Sequence, residues 1–210
     1  MREQKTDLRR EAGQRTRERL LAATLELVAR RGREGVTLRE LTENAGANVA
    51  AVSYHFGSLK ALCDAAIEQA LERYLDAQIE ELGAVESTAT LHDLAAAFAR
   101  PMVRALAAGG PDLTVLRTVA RIGIDPPQGW DRLNEKFDRT RAEILRVLTS
   151  HLPEVDKQEL TFRTRCAAGL LNWLVLAPIG TELAAKPADE IERMLVPVIA
   201  GAFHGHQHTD

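Results

Sequence analysis

The sequence predicts an all-α protein in which a three-helix N-terminal domain precedes a larger helical C-terminal domain. Aromatic residues make up only 4% of the 210 residues, and the chain is rich in Ala, Leu and Glu, which favour helices. Apolar residues recur at steps of three, four and seven along most of the chain, and no alternating run between turn residues indicates a strand. The hydrophobic fraction of 45% is sufficient for a buried core.

The first helix is predicted over 14–31, where Leu20, Leu27 and neighbouring apolar residues form one face. Residues 1–12 have no apolar periodicity, and we expect a flexible basic arm there. Gly32, the first of two closely spaced glycines, is expected to end the helix.

Two short helices joined by a tight turn follow, and their spacing predicts a helix-turn-helix within a domain over 13–60. Thr37 and Glu40 form a capping-box pattern, Gly46 lies in the turn, and Asn48 is the expected N-cap of the second helix. The expected inner face of that helix consists of Val49, Val52 and Phe56. The expected outer face consists of Asn48, Ala50, Ala51, Ser53 and Tyr54.

A run of amphipathic helices is predicted over 61–203. Ser58 is the expected cap of a long helix over 59–82. Further helices are predicted around 91–102, 113–120, 130–152, 156–184 and 191–202, with a loop at 123–129 and a frayed tail at 204–210. The centre of 156–184 is apolar nearly all round, which predicts that it is covered on both sides.

Charge is distributed unevenly along the chain. Residues 1–60 hold 12 Lys and Arg against 8 Asp and Glu, whereas residues 61–210 hold 15 against 22. A basic N-terminal segment followed by an acidic remainder indicates a local polyanion-binding surface, although charge alone favours a solvated arm equally. Because the chain has two cysteines and no apolar N-terminal leader, we expect a cytoplasmic protein.

Residues 15–62 resemble the N-terminal domain of the tetracycline-repressor (TetR) family. The segment AGANVAAVSYHFGSLKAL is similar to the family's pattern, and the matching positions are Thr37, Gly46, Tyr54, His55, Phe56 and Leu62. The resemblance implies a homodimeric transcriptional regulator, a repressor, that binds a palindromic double-stranded DNA operator and is released by a small effector.

The resemblance also implies which residues touch DNA, namely Thr37, Asn48, Val49, Ala50, Ser53, Tyr54, His55 and Lys60. Asn48 and Ser53, with apolar contact from Val49 or Ala50 to thymine methyls, would contribute base readout, and the others would position the backbone. One position departs from the family: Leu59 stands where a lysine is usual, and Lys60 follows it. Either Lys60 replaces that phosphate contact or the contact is lost.

For the C-terminal body, the resemblance implies an effector pocket between the fourth helix and helices five to eight, and a dimer interface within 156–203. Candidate pocket residues are Phe98, Met102, Leu116, Arg117, Trp130, Phe137, Phe162, Cys166 and Trp173. The apolar candidates are also compatible with plain core packing, Arg117 with a solvated face or a salt bridge to the next helix, and the apolar helix with a monomer's core. We expect an apolar or acyl-type effector.

No catalytic motif or cofactor signature is present in the sequence, so we expect no enzymatic activity and no cofactor. His204, His206 and His208 alternate on the tail, where they would lack fixed geometry, and no metal site is expected. The alternative function is a helical enzyme or an interaction protein whose apolar body binds a small molecule without control of DNA.

Overall fold

A computed structural model describes the backbone of residues 2–86, 88–125 and 131–204, and their side chains except at 2–9, 131–134, 136–137 and 139–140. The described residues form ten α-helices and no strand, which confirms the predicted fold class. The helices are α1 (Arg2–Arg31), α2 (Leu38–Ala45), α3 (Val49–Phe56), α4 (Leu59–Gly83), α5 (Leu91–Ala108), α6 (Gly110–Ile124), α7 (Asp131–His151), α8 (Lys157–Leu176), α9 (Pro178–Ala184) and α10 (Ala188–His204).

Helix α6 extends through Ile124, into the loop predicted at 123–129, whose residues 126–129 lie outside the described residues. Two boundaries differ more strongly from the predicted ones. Helix α1 begins at Arg2, so most of the segment 1–12, predicted as an arm, is helical; Arg, Glu, Lys and Gln propagate a helix without an apolar stripe. The segment predicted as one helix over 156–184 is broken after Ala177 into α8 and α9, which are bent by 83°. Pro178 explains the break because it has no backbone N–H to continue α8.

A glycine makes the sharp bend between α8 and α9 possible. A Cβ atom on Gly180 would lie 2.5 Å from the carbonyl oxygen of Leu174 and 2.6 Å from that of Val175. Since these neighbours are backbone atoms that cannot rotate away, only glycine fits without displacement of the chain.

The chain divides into two compact units, Met1–Ala70 and Leu71–Asp210. In the first, α1 packs against α2 and α3, and the buried apolar side chains include Leu20, Leu27, Leu41, Val52 and Leu62. The guanidinium of Arg33, in the short 3-10 turn after α1, donates from Nε and Nη2 to Oδ1 of Asp64 at 3.0 and 2.7 Å. This ion pair connects the turn to the first part of α4.

In the second unit, α5 packs against α10, and α6 and α10 pack against α8. Phe98 and Phe203 meet edge to face with ring centroids 5.3 Å apart and join α5 to α10 in the core. Arg163 of α8 donates to the carbonyl oxygens of Phe203 and His204 at 2.7 Å each. It thereby satisfies acceptors that the end of α10 leaves unpaired.

No single helix of the described residues is both long and apolar enough to cross a membrane; α8 and α9 pass that test only together, as a bent pair.

Candidate DNA-binding surface and ligand cavity

Helix α2 is capped at Thr37, as its sequence pattern predicts. The Thr37 hydroxyl oxygen accepts the amide hydrogen of Glu40 at 3.3 Å. The Glu40 carboxylate, however, accepts from the Arg31 guanidinium at 3.0 Å, so the reciprocal half of the predicted capping box is replaced by an ion pair to α1. Helix α2 ends at Gly46, whose φ of 56° is left-handed and favours glycine.

Helix α3 is fixed at its start and through one buried side chain. Asn48 Oδ1 accepts the Ala51 amide hydrogen at 2.8 Å, which confirms the predicted cap. The side-chain amide of Asn48 donates to no described residue and is exposed to solvent. Because Val52 is only 2% exposed, it sets the rotation of α3 about its own axis.

The outer side of α3 is well exposed. Tyr54 is 86% exposed, and its ring meets that of His55 edge to face at 4.9 Å. Val49, which the sequence places on the inner face, is 50% exposed. It lies in the first turn of α3, where no neighbouring element covers that position. Phe56 is half-buried with Arg17 of α1 over its ring at 5.2 Å, so it anchors the C-terminal end of α3.

The N-terminus of α4 adds a cationic group beside α3. Ser58 Oγ accepts the Ala61 amide hydrogen at 3.1 Å and caps the helix. Leu59 is half-buried, whereas Lys60 is exposed and forms no ion pair with a described residue. An ammonium group at a helix N-terminus, where amide hydrogens also point outward, favours an anion such as a phosphate.

Of the eight candidate DNA-binding residues, seven are exposed and His55 is half-buried. All eight lie within α2, α3, their caps and the first turn of α4, in the first unit. The segment therefore exposes hydroxyl, amide and ammonium groups to solvent, with a half-buried imidazole among them.

The second unit encloses a cavity of about 1100 Å³. Its walls are residues of α4, α5, α6, α7 and α8, the helices among which the family resemblance implies an effector pocket. Apolar side chains line one part, including Leu75, Phe98, Val119, Ile144 and Leu171. Its size is slightly above the range of about 300–1000 Å³ typical of small-molecule sites.

The sequence-based candidates for this cavity are scattered. Phe98 lines it, whereas Met102 and Leu116 are buried in the core and Arg117 is half-buried on α6 outside the lining. Phe162, Cys166 and Trp173 lie on the exposed side of α8, away from the residues of α8 that form the wall. Trp130 and the side chain of Phe137 lie outside the described residues.

The lining has a polar part, which a prediction based on large apolar side chains does not reveal. Lys157, Thr161, Thr164, Arg165 and Asn172 all line the cavity from α8. Their spacing of three, four and seven residues places them on one helical face. This polar stripe on a helix with an otherwise apolar centre was the signal available in the sequence.

Ion pairs and burial set the electrostatics of the lining. Arg146 pairs with Glu143 at 2.6 Å, and their hydrogen bond lowers the pKa of the Glu143 carboxyl and raises that of the guanidinium. Burial raises the pKa of the Tyr74 phenol well above its ordinary value, so this hydroxyl remains protonated and available as a donor. Gln78 Nε2 donates to the carbonyl oxygen of Phe98 at 3.1 Å and ties α4 to α5.

A close approach of α6 to α8 forms one wall. A Cβ atom on Gly123 would lie 2.3 Å from Nδ2 of Asn172. Both residues line the cavity. Any side chain at 123 would therefore displace Asn172 and change the shape of this wall.

Helices α8, α9 and α10 leave several large apolar side chains uncovered. The exposed set is Phe162 (68%), Trp173 (57%), Val198 (50%), Met194 (45%) and Ile179 (37%). Because exposed apolar groups concentrated on neighbouring helices mark interaction surfaces, this face differs from an ordinary solvated surface.

Two family models match the chain. One, described as bacterial regulatory proteins of the tetR family, matches residues 20–66, and the other, described as a tetracyclin repressor-like C-terminal domain, matches residues 96–202. The first contains α2, α3 and the start of α4, and the second contains most of the helices around the cavity. No curated protein matches the chain.

Solved structures give the same fold. The TetR family transcriptional regulator PfmR from Thermus thermophilus is 19% identical with a TM-score of 0.62, covering 90% of this chain and 99% of that one. A putative transcriptional regulator from Saccharomonospora viridis in complex with choline is 23% identical with a TM-score of 0.59, covering 87% and 94%. The fatty acid degradation regulator FadR from Bacillus halodurans is 11% identical with a TM-score of 0.61, covering 91% and 97%.

The two family models, matched over both the helix-turn-helix and the body that holds the cavity, confirm the resemblance found in the sequence. The chain belongs to the TetR family of transcriptional regulators, with a DNA-binding helix-turn-helix followed by a ligand-binding domain.

Proposed function

We propose that the chain is a homodimeric repressor that binds a palindromic operator and leaves it when a small effector enters the cavity. The exposed surface of α3 is the observation that carries this proposal: the helix is capped by Asn48 and held by buried Val52, and its outer side chains are open to solvent. A helix in the major groove needs this combination of a fixed backbone and accessible side chains.

The exposed groups divide by chemistry. Thr37, Tyr54, His55 and Lys60 carry hydrogen-bond donors or positive charge suited to phosphate oxygens, which position the protein without specifying sequence. Asn48, Val49, Ala50 and Ser53 occupy the first turns of α3, which lie nearest the base edges in this docking geometry. With few long polar side chains for direct readout, DNA shape contributes part of the specificity.

Dimerisation is proposed through the uncovered apolar face of α8 and α10, within residues 156–203. Both helices pack together in one subunit and leave Phe162, Trp173, Met194 and Val198 exposed. A second copy that covers this face would remove the apolar groups from water and place two α3 helices on successive half-sites, about 34 Å apart.

The proposed effector is small and, in part, apolar or acyl in character. The buried side chains of Phe98, Ile144 and Leu171 provide an apolar interior. The similarity to a structure described as a fatty acid degradation regulator agrees with this proposal.

Selection from a random duplex library with the full-length protein tests DNA recognition. We expect an enriched palindromic sequence whose binding weakens steeply between about 50 and 200 mM salt, because phosphate contacts release counterions. A Tyr54→Ala variant should bind both the selected and an unrelated duplex more weakly. Recovery of no preferred sequence would contradict the proposal.

Sedimentation equilibrium tests the dimer separately. Trp173→Glu places a charge on the proposed interface and should convert the dimer to monomer, whereas Glu182→Gln on the exposed surface of α9 should leave the dimer intact. Dimers of equal stability in both variants would exclude this face as the interface.

A further inference from the structure

We propose that the effector is an anionic amphipath, a molecule with a carboxylate or phosphate head bound by Lys157 and Arg165 and an apolar tail inside the cavity. This inference rests on the proposed function, in which the cavity receives the effector. It adds the charge and the orientation of that ligand.

The lining of the cavity has an excess of positive charge. Its described residues include four cations, from Arg141, Arg146, Lys157 and Arg165, against the single carboxylate of Asp138. This excess is opposite in sign to residues 61–210 as a whole, which hold 15 basic against 22 acidic residues. A cavity that concentrates positive charge within an acidic body favours anions and disfavours cations.

The pairing of these cations identifies the two that remain available. On α7, Arg141 lies 3.2 Å from Asp138, and Arg146 lies 2.6 Å from Glu143. On α8, neither the Lys157 ammonium nor the Arg165 guanidinium forms an ion pair with any described residue.

The acidic residues beside Lys157 on the chain are already engaged. Asp156 accepts the amide hydrogens of Gln158 and Glu159 as the N-cap of α8. The Glu159 carboxylate pairs with Arg163. Neither carboxylate is therefore available to Lys157 without loss of a cap or an ion pair.

The spacing on α8 places the two cations on the same side of the helix. Lys157 and Arg165 are eight residues apart with Thr161 midway between them, so all three lie on the cavity side of the helix. The Thr161 hydroxyl donates to the Lys157 carbonyl oxygen at 2.7 Å, so its hydrogen is already used and the two cations are the groups left to bind an anion. An anionic head in contact with both cations would therefore lie along two turns of α8.

Exposure sets the orientation. Lys157 and Arg165 are exposed, whereas Phe98, Ile144 and Leu171 of the same lining are buried. The charged groups thus lie at the solvent side of the cavity and the apolar groups inside, which matches a molecule with an ionic head and a hydrocarbon tail. A quaternary ammonium head, such as that of choline in the Saccharomonospora viridis structure, would be repelled here.

Calorimetric titration of the full-length protein with four probes of equal chain length, below their micellar concentrations, tests the inference. The probes are dodecanoate, dodecyl phosphate, dodecanol and dodecyltrimethylammonium. We expect at least one of the two anions to bind at least about tenfold more tightly than the alcohol, because an anionic head gains one or two charge-assisted hydrogen bonds. We expect the cation to bind most weakly. The two anions distinguish a carboxylate from a phosphate site.

Variants assign the preference to residues. Lys157→Gln with Arg165→Gln should remove most of the tenfold preference, and Arg165→Glu should shift binding toward the ammonium probe. Arg193→Gln, which removes an exposed cation of α10 outside the cavity, should leave the preference unchanged. Circular dichroism and thermal unfolding of each variant show whether it is folded.

Binding of the alcohol or the ammonium probe as tightly as the anions, no binding of either anion, or a preference that survives the double substitution would overturn the inference. The duplex selection is done without ligand, so its outcome is separate. A selected operator without an anion preference leaves the proposed function in place, whereas an anion preference without an operator overturns the proposed function but not the chemistry of the cavity.

Discussion

Asn48 has a structural role and a proposed DNA-binding role that two substitutions separate. Its carbonyl oxygen accepts the Ala51 amide hydrogen at 2.8 Å, and its exposed amide group donates to no described residue. Asn48→Asp keeps a capping oxygen but replaces the amide donor by a negatively charged oxygen. Asn48→Ala removes both the cap and the donor.

The two variants should rank in opposite order for stability and for DNA binding. Asp and Asn are nearly equal N-caps, whereas Ala costs about 1 kcal/mol of the free energy of unfolding. An amide donor that contacts a base edge contributes about 0.5–1.5 kcal/mol, so its loss weakens binding roughly 2- to 12-fold per DNA-binding domain. The carboxylate of the Asp variant adds repulsion from the phosphates, so we expect Asn48→Asp to be the more stable protein and the weaker binder.

Urea denaturation followed by circular dichroism gives the free energies of unfolding, and fluorescence anisotropy with the selected duplex gives the affinities. Gln69→Ala, an exposed change on α4 outside the DNA-binding surface, serves as control and should alter neither quantity by much. If Asn48→Asp binds the duplex as tightly as the wild type, Asn48 only caps α3 and the placement of that surface is refuted.

Three further predictions follow from individual contacts. Lys60→Gln should reduce the slope of log affinity against log salt by about 0.9 per protomer, since one phosphate contact is lost; an unchanged slope in anisotropy titrations would place Lys60 away from the phosphates. Gly180→Ala should lower the free energy of unfolding by about 1–3 kcal/mol because its Cβ would lie 2.5 Å from the Leu174 carbonyl oxygen. Gly83→Ala, which meets nothing within 4 Å, should raise that energy by up to about 1 kcal/mol, and equal urea midpoints would contradict this difference. Burial raises the pKa of the Cys63 thiol to about 11 from 9.0, so the folded chain holds this proton after the unfolded chain has lost it. The free energy of unfolding should therefore be fully retained below pH 9 and fall between pH 9 and about 11; urea denaturation of Cys63→Ala should show a smaller fall, and an identical pH profile would refute this assignment.

The local signals of the first unit were strong enough to predict from sequence. Thr37, Asn48 and Ser58 each cap the helix expected of them, because a short polar side chain before an apolar stripe satisfies a free amide regardless of the rest of the fold. The hydrogen-bond partner of the Glu40 carboxylate was not predictable from the sequence, because Arg31 approaches it only through the packing of α1 on α2.

The cavity was harder to predict because lining depends on which side of α8 faces inward. Phe162 and Trp173 suggested a pocket by size, yet they are 68% and 57% exposed. Thr161 and Arg165, one residue before Phe162 and three after it, line the cavity instead. A rotation of about 100° per residue around the helix separates the two sets, and hydrophobicity alone does not show which side of α8 faces the cavity.

The break between α8 and α9 was likewise set by a feature that periodicity overlooks. The apolar pattern continues across 156–184, but Pro178 ends the hydrogen-bond ladder and Gly180 allows the close approach of the chain. A proline within an apolar run is therefore the sequence signal that marks this boundary, which the apolar pattern alone does not show.

Footprinting of the full-length protein on the duplex recovered by selection tests the central claim most directly. The account predicts two protected half-sites related by a palindrome, with centres about one helical turn or 34 Å apart, and loss of both in the Tyr54→Ala variant under conditions where wild type protects them. A single protected half-site, or salt-sensitive protection spread evenly along the duplex, would contradict a dimeric regulator that recognises its operator through α3.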